Sequence, residues 1–361
     1  EEAIPISPIL KEIQMPNDTE IVPGQTTKIL GLGFSREDKL FLVGEDKTTE
    51  VEIVEANDNY IAFVVPIDAG GEYTVIVERS GKQTTLDSKL IVPFIVPLTN
   101  VKLPEGSIVR EGEVFIEGDG FQEGDIAQLT ASFYPSDTYY NQPLTLIEGG
   151  VKFDLPEQAF GLNNVVIIRN IRKSNLGTIL IETNVGDEIG GGIVFWVNTN
   201  KSHGLIASKA NVGTSTEQFG PEVAPADAVG TSSTLGSGLS NTEKIVSKMA
   251  QLRTLHGWPE WQNVKIAAEL CADLSISEND LTYTDWYLPS REELIELFKV
   301  KNILATKGYA IPPNNYWTSS EVEGNEGWAA YYVNFYEETN IVSGPASKSG
   351  WKIGVRPIRS Y

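Results

Sequence analysis

Along the first 184 residues the apolar positions come in short β-branched runs, such as Tyr73-Thr74-Val75-Ile76-Val77 and Val165-Val166-Ile167-Ile168. Gly, Pro, Asn and Asp divide these runs at spacings of about 8–12 residues, the pattern of an antiparallel sandwich. No amphipathic helix is read before residue 240. After residue 185 the pattern changes. Ile189-Gly190-Gly191-Gly192-Ile193-Val194-Phe195-Trp196-Val197 reads as a glycine turn feeding a buried strand, and His203-Gly204-Leu205-Ile206-Ala207 as its return. Residues 211–241, rich in Gly, Ser, Thr and Pro, read as a long loop, and such a loop is functional or mobile. Three helical segments follow. The first is capped by Asn241 or Thr242 and runs through His256 with Ile245, Met249 and Leu252 on one face. The second lies near 264–274. The third opens on a capping box of Ser290 and Glu293, buries Leu294, Leu297 and Phe298, and stops near Gly308. Short strands are predicted at 316–319, 329–336, 340–343 and 352–356. A hairpin, then helices, then a β-meander makes an α+β domain.

Composition divides the chain at the same place. All seven Trp follow residue 190, and residues 1–184 hold 29 acids against 14 bases, net -15. The remainder is net -6. A chain of 361 residues with net charge -21 has room for two or three domains and lacks the basic footprint of a nucleic-acid binder. The same charge disfavours an electrostatic membrane anchor. No stretch approaches the roughly 18 uncharged apolar residues of a spanning helix. One Cys and two His leave no room for a disulfide scaffold, and little for a Cys/His zinc site.

A repeat runs through the Trp-free part. Gly31-Leu32-Gly33-Phe34 recurs 87 residues later as Gly118-Asp119-Gly120-Phe121, each followed by an acidic loop, and Val65-Pro66 recurs 90 residues later as Leu155-Pro156. The glycines allow a tight bend and the Phe enters the core. Strand-like sequence follows where a phosphate-binding loop would need a helix N-terminus. With Pro8, Val22-Pro23-Gly24, Phe63-Val64-Val65-Pro66 and Gly71-Glu72-Tyr73-Thr74-Val75, the first copy resembles the IPT/TIG immunoglobulin-like family. The second copy is more divergent, with Asn164 where the first has Tyr73. The resemblance implies spacer domains, as in bacterial surface proteins.

A second resemblance rests on Asp285-Trp286-Tyr287-Leu288-Pro289-Ser290-Arg291-Glu292-Glu293-Leu294. Further blocks occur in order: Gly190 to Phe195, His203 to Leu205, Gly236 to Thr242, Tyr316 to Glu321, Val333 to Phe335 and Val355 to Arg359. These are similar to the C-terminal domain of the Legionella collagen-like adhesin, a bacterial domain that looks like a variant of the C-type-lectin fold. The organisation expected is therefore multidomain: two all-β immunoglobulin-like sandwiches, 1–96 and 97–184, then an α+β C-type-lectin-like ligand-binding domain, 185–361. Trp286 and Leu288 are expected to pack on the helix that Ser290 starts, Trp317 to fill the core, and Arg356 and Arg359 to pair with carboxylates or carbonyls. The related formylglycine-generating enzymes use paired cysteines, whereas Cys271 stands alone and reads as a small buried residue. The Glu-Pro-Asn, Gln-Pro-Asp and Trp-Asn-Asp motifs of calcium-dependent lectins do not occur. Ser319-Ser320-Glu321 has no positioned His base, so a catalytic triad is unsupported. The chain is expected to be non-enzymatic, with no cofactor and no metal ligands named.

The candidate site comes from strand periodicity. Ala329, Tyr331, Val333 and Phe335 coincide with the apolar marks of the resemblance and are assigned to the core. Trp328, Ala330, Tyr332, Asn334 and Tyr336 fall on the other face. Rings stack on pyranose C–H surfaces and an amide bonds hydroxyls, so Trp328, Tyr332, Tyr336 and Asn334 are candidate sugar contacts. The polar loop of Glu321, Glu323, Asn325 and Glu326 adjoins them. The alternative is that helices or the long loop cover this face. The partner expected is a carbohydrate or a surface protein, with no nucleic acid. Two other functions stay open: a structural component of a surface layer or fibre, and a glycan-active enzyme with two carboxylates flanking a cleft. The start at Glu1-Glu2-Ala3-Ile4-Pro5 reads as a trimmed chain. An exported bacterial envelope protein is expected, lipid-anchored near Glu1 on the outer surface, with periplasmic residence as the second choice.

Overall fold

The structure, a computed structural model, describes residues 8–45, 47–94, 96–132, 139–170, 172–214 and 217–361. The anchor point expected near Glu1 lies outside them.

In the first sandwich one sheet carries Lys11–Gln14, Thr26–Leu32, Tyr60–Val64 and Ile53–Asn57 in that order. The facing sheet carries Thr48–Val51, Lys39–Val43, Gly71–Arg79 and Lys82–Thr85, with Leu90–Val92 paired to Gly71–Arg79. Thr26–Leu32 alternates exposed and buried along its length, so period two sends one set of side chains inward. Ile29, Leu40, Leu42, Ile61, Phe63, Val75 and Val77 fill the space between the sheets.

The second sandwich repeats the plan. Thr99–Lys102, Glu113–Asp119, Gly150–Asp154 and Thr145–Ile147 form one sheet. Ser107–Ile108, Arg172–Ile181, Gly161–Arg169, Ile126–Ala131 and Tyr139–Pro143 form the other. Among the described residues up to 184, the helical content is one 3-10 turn, Asp18–Glu20.

The sequence repeat is one ionic clamp built twice. Arg79 Nε donates to Asp38 Oδ1 (2.6 Å) and its Nη2 to the Gly33 carbonyl (2.8 Å). Arg169 Nε donates to Asp125 Oδ1 (2.7 Å) and its Nη2 to the Gly120 carbonyl (2.6 Å). Both Asp side chains are buried, and each also accepts a loop N–H, from Ser35 or from Gln122. Gly33 and Gly120 have φ of +95° and +87°. A Cβ would strike the Ile9 carbonyl in the first and the Pro97 carbonyl in the second. Phe34 is buried in its core, while Phe121 is half-buried against its own.

The last region pairs Glu188–Ile189, Gly192–Val197, Gly204–Ser208 and Ile358–Ser360 in one sheet, and Asn315–Glu321, Ala329–Asn334 and Val342–Ser347 in another. A small hairpin joins Ile276–Glu278 to Leu281–Tyr283. The helices are α1 (Gly238–His256), α2 (Pro259–Gln262), α3 (Ala267–Ala272) and α4 (Arg291–Thr306). The Ser290 box is present: Ser290 Oγ accepts from Glu293 N (3.3 Å) and Glu293 Oε2 accepts from Ser290 N (2.6 Å). Several expectations need correction. α1 begins before Asn241 and Thr242, because Asn241 spends its amide on Ser232 and Ser319 and Thr242 bonds Gly238 and Leu288. The final strand is Ile358–Ser360, and 352–356 makes only isolated bridges to Glu217 and Tyr316. Trp286 does not pack on α4. It is buried with Phe160, Ile189, Ile206 and Tyr361, while Leu288 joins the core under α1 and α3. Tyr287, between them, is the residue that meets α4. Trp317 is fully buried, Arg359 pairs with Asp285 (2.7 Å) and Arg356 Nη1 donates to the Ser208 carbonyl (2.8 Å).

Candidate functional site

Ala329–Asn334 is the central strand of its sheet. Val333 and, just beyond the strand, Phe335 pack with Leu294, Leu297 and Phe298 of α4. That is the core face read from the sequence, except that Tyr331 is half-exposed beneath the Arg291 guanidinium, 4.6 Å from its ring.

The opposite face is not open along its whole length, which corrects the expectation of an aromatic trio on free strand. Ala330 is fully buried with Phe219, Trp317, Ala346 and Val355. Phe219 arrives from the long loop, whose sequence carries no periodic pattern, and packs edge-on against Trp317 at 5.6 Å. Tyr332 is half-buried at the margin of this cluster. Its ring passes over Gly344 on the neighbouring strand, where a Cβ would stand 3.3 Å away. It stacks on Trp351 at 5.5 Å and 23°.

Trp351 is 42% exposed and was not singled out from the sequence. It lies 19 residues from Tyr332 and shares no periodicity with it. The glycine opposite Tyr332 is the one local signal that a ring crosses there. Trp328 is 51% and Tyr336 63% exposed, so both are available to a ligand. Trp328 precedes Tyr332 by four residues, about 13 Å of strand. Tyr336 lies beyond the strand end. The rings therefore do not share one sugar-sized spot. Tyr332 with Trp351 makes a compact platform, and Trp328 stands one step away. Asn334 is half-buried, and its Oδ1 accepts from Tyr336 N (2.7 Å), which leaves the amide nitrogen for a ligand.

Glu321 is not a loop ligand. Its side chain is fully buried and pairs with Lys348 Nζ at 2.6 Å. It also accepts from Val229 N (3.1 Å) and Gly230 N (2.8 Å), pinning the long loop. Burial holds the Lys348 amine below its ordinary value, against the opposing pull of the Glu321 hydrogen bond. Asn325 and Glu323 are exposed, and the Asn325 carbonyl accepts from Trp328 N and Ala329 N. Glu326 accepts from Gly324 N (2.9 Å), and hydrogen bonds from its own N–H and that of Gly324 hold its carboxyl below the usual range.

Ser319 and Ser320 are buried and structural: Ser319 Oγ accepts from Asn241 Nδ2, and Ser320 Oγ donates to the Ser232 carbonyl. Cys271 is buried, which pushes its thiol well above the ordinary value. Among the described residues no group of three or more His, Cys, Asp or Glu is placed to hold a metal ion.

The sequence over 8–91 matches the family described as IPT/TIG domain. Residues 8–91 are an IPT/TIG domain. The match ends within the first sandwich. No curated protein matches the chain. Among solved structures, a fimbrial protein from Bacteroides ovatus is 13% identical over 94% of this chain and 94% of its own, with a TM-score of 0.34. The Bacteroides ovatus mixed-linkage glucan utilization locus protein SGBP-B, solved with a mixed-linkage heptasaccharide, is 17% identical over 51% of this chain and 48% of its own (TM-score 0.18). A structure solved with a xylogluco-oligosaccharide is 15% identical over 60% of this chain and 52% of its own (TM-score 0.21). The chain thus spans about half the length of the two saccharide-bound structures. Scores this low fix neither an overall fold nor an activity for it.

Proposed function

We propose that this chain is a non-enzymatic bacterial surface protein in which two immunoglobulin-like spacers present a C-type-lectin-like head to a carbohydrate. The observation that carries the proposal is the Tyr332–Trp351 stack, a pair of rings held over Gly344 and open on the Trp351 side. A sugar ring laid on Trp351 buries C–H surface, while Trp328 and the Asn334 amide take a neighbouring unit. The head and the second sandwich are read as lectin-like and IPT/TIG-like from sequence motifs, and the duplicated Arg–Asp clamp supports the second of these. Outer-surface display, by a lipid anchor or otherwise, follows from the spacer architecture. A glycan array tests the proposal. Full chain should bind a subset of glycans, and Trp351→Ala should weaken that binding. Binding unaffected by changes at Trp351 and Trp328 would sink it. Release of reducing ends from a bound polysaccharide would replace it with a glycan-active enzyme.

A further inference from the structure

A second cleft lies at the end of the first sandwich, where the chain leaves for the second. Its volume is about 660 Å³. Phe94, two residues past the strand Leu90–Val92, is 76% exposed. Its inner edge rests on Gly70 and Gly71, 3.0 and 3.1 Å from where their Cβ atoms would stand. Tyr73 faces it. The Tyr73 ring lies 3.0 Å from the missing Cβ of Gly44, and its hydroxyl bonds Gly70 through N (3.2 Å) and O (3.3 Å). The two rings thus converge on Gly70 over a floor without side chains, and any Cβ there would push into a ring.

Charged side chains of both signs rim the cleft. Lys47 pairs with Asp68 at 3.9 Å and Lys89 with Glu72 at 3.3 Å, and all four side chains are more than half exposed. Pairs this open hold little free energy, so the groups are free to exchange partners. Donors and acceptors in alternation suit hydroxyls. With Glu45 also on the rim, carboxylates exceed ammonium groups and work against an anionic ligand.

We propose that this cleft is a second carbohydrate site, for a neutral sugar, which stacks on Phe94 and Tyr73 and bonds the Lys47–Asp68 and Lys89–Glu72 rim. It is independent of the head. Two weak sites on one chain would act together on a polymer, since the second contact becomes intramolecular.

The test uses the full chain with Trp328→Ala and Trp351→Ala, which removes the head rings. This chain is applied to a printed array of neutral and acidic oligosaccharides and then titrated calorimetrically with the neutral oligosaccharide that binds best. Residual binding to neutral glycans is expected, and adding Phe94→Ala should lower it by roughly 2- to 12-fold, the range of one aromatic contact. The side chain is largely exposed, so the melting temperature should not move. Gly70→Val, which fills the floor, should act in the same direction. The proposal is overturned if the head-deficient chain binds no neutral glycan, or if Phe94→Ala leaves such binding unchanged. It is also overturned if Phe94→Ala changes the oligomeric state by light scattering, which would assign Phe94 to a contact between copies. Failure of the head proposal shows separately, as wild-type binding that the two Trp changes do not alter.

Discussion

Tyr332 and Trp351 illustrate how differently two stacked rings respond to truncation. Trp351→Ala removes a ring that is 42% exposed and belongs to no core cluster. It should weaken glycan binding about 2- to 12-fold with little change in melting temperature. Tyr332→Ala should weaken binding and also destabilise the head, because that ring packs against the buried cluster of Ala330 and Trp317. Calorimetric titration beside thermal melting separates the two effects. Lys348 and Glu321 make a different case. Removing one partner strands a buried charge, so Lys348→Met alone should cost about 3–5 kcal/mol, and Lys348→Met with Glu321→Leu much less. Denaturant titration of both variants checks this.

Glu293 supplies a pH dependence whose sign follows from burial. Desolvation raises its pKa above the ordinary 4.5, outweighing the hydrogen bonds from Ser290 and Gly236. A carboxyl raised in the folded state contributes stability that is full below its unfolded pKa and lost as pH rises through the folded value. Wild-type stability should therefore fall relative to Glu293→Gln as pH rises from about 4.3, the unfolded carboxyl value. Equal slopes in urea titrations across that window would show that Glu293 stays ionised. Ser290 and its capping partner were legible in the sequence because an N-cap is a local motif. The raised pKa was not, since it depends on what closes over the helix start, here the loop around Gly236 and Gly238.

At the scale of elements, the repeated clamp explains why glycine, aspartate and arginine recur at nearly constant offsets. The glycine bends beneath a neighbouring carbonyl, the aspartate closes the loop, and the arginine at the end of the long strand ties both. Gly33→Ala and Gly120→Ala should each destabilise their own sandwich by at least about 1–3 kcal/mol from backbone strain alone. Arg169→Ala should cost more, because Asp125 is buried and would lose its partner. Arg169 also holds the Val96 carbonyl at 2.5 Å, so its loss should loosen the segment between the sandwiches. Proteolytic nicking near Val96 in Arg169→Ala but not in Arg79→Ala would show this. The glycine repeat was legible in the sequence. The Arg79 and Arg169 ends were not, since 41 and 44 residues separate each from its Asp.

At the scale of the whole molecule, the second sandwich and the head share a buried seam. Phe160 sits among Ile189, Val194, Ile206, Tyr283, Trp286 and Tyr361, edge-on to Tyr361 at 5.3 Å. Thr183 bonds the Tyr361 hydroxyl, Lys201 pairs with Glu182, and Arg110 faces Asp187 at 3.7 Å. The two should unfold together. Phe160→Ala removes a core aromatic, a change of about 3–5 kcal/mol, and should split that transition and lengthen the particle in small-angle scattering. A single unchanged transition would refute the seam.

The sequence by itself determined the order of modules, the strand-rich character of the first 184 residues and the helix begun at Ser290. Each of these is written in neighbouring residues, as a period of two, a glycine repeat or a cap. It also marked Trp328 and Tyr336 as exposed rings. Only the tertiary structure decided that Ala330 and part of Tyr332 are covered, that Trp351 completes the platform, that Glu321 is buried on Lys348 and that Trp286 faces the second sandwich. The physical reason is the same throughout. Strand periodicity separates two faces but does not say what will lie on them, and the covering segments here come from a loop without periodicity, from the far end of the chain and from another sandwich.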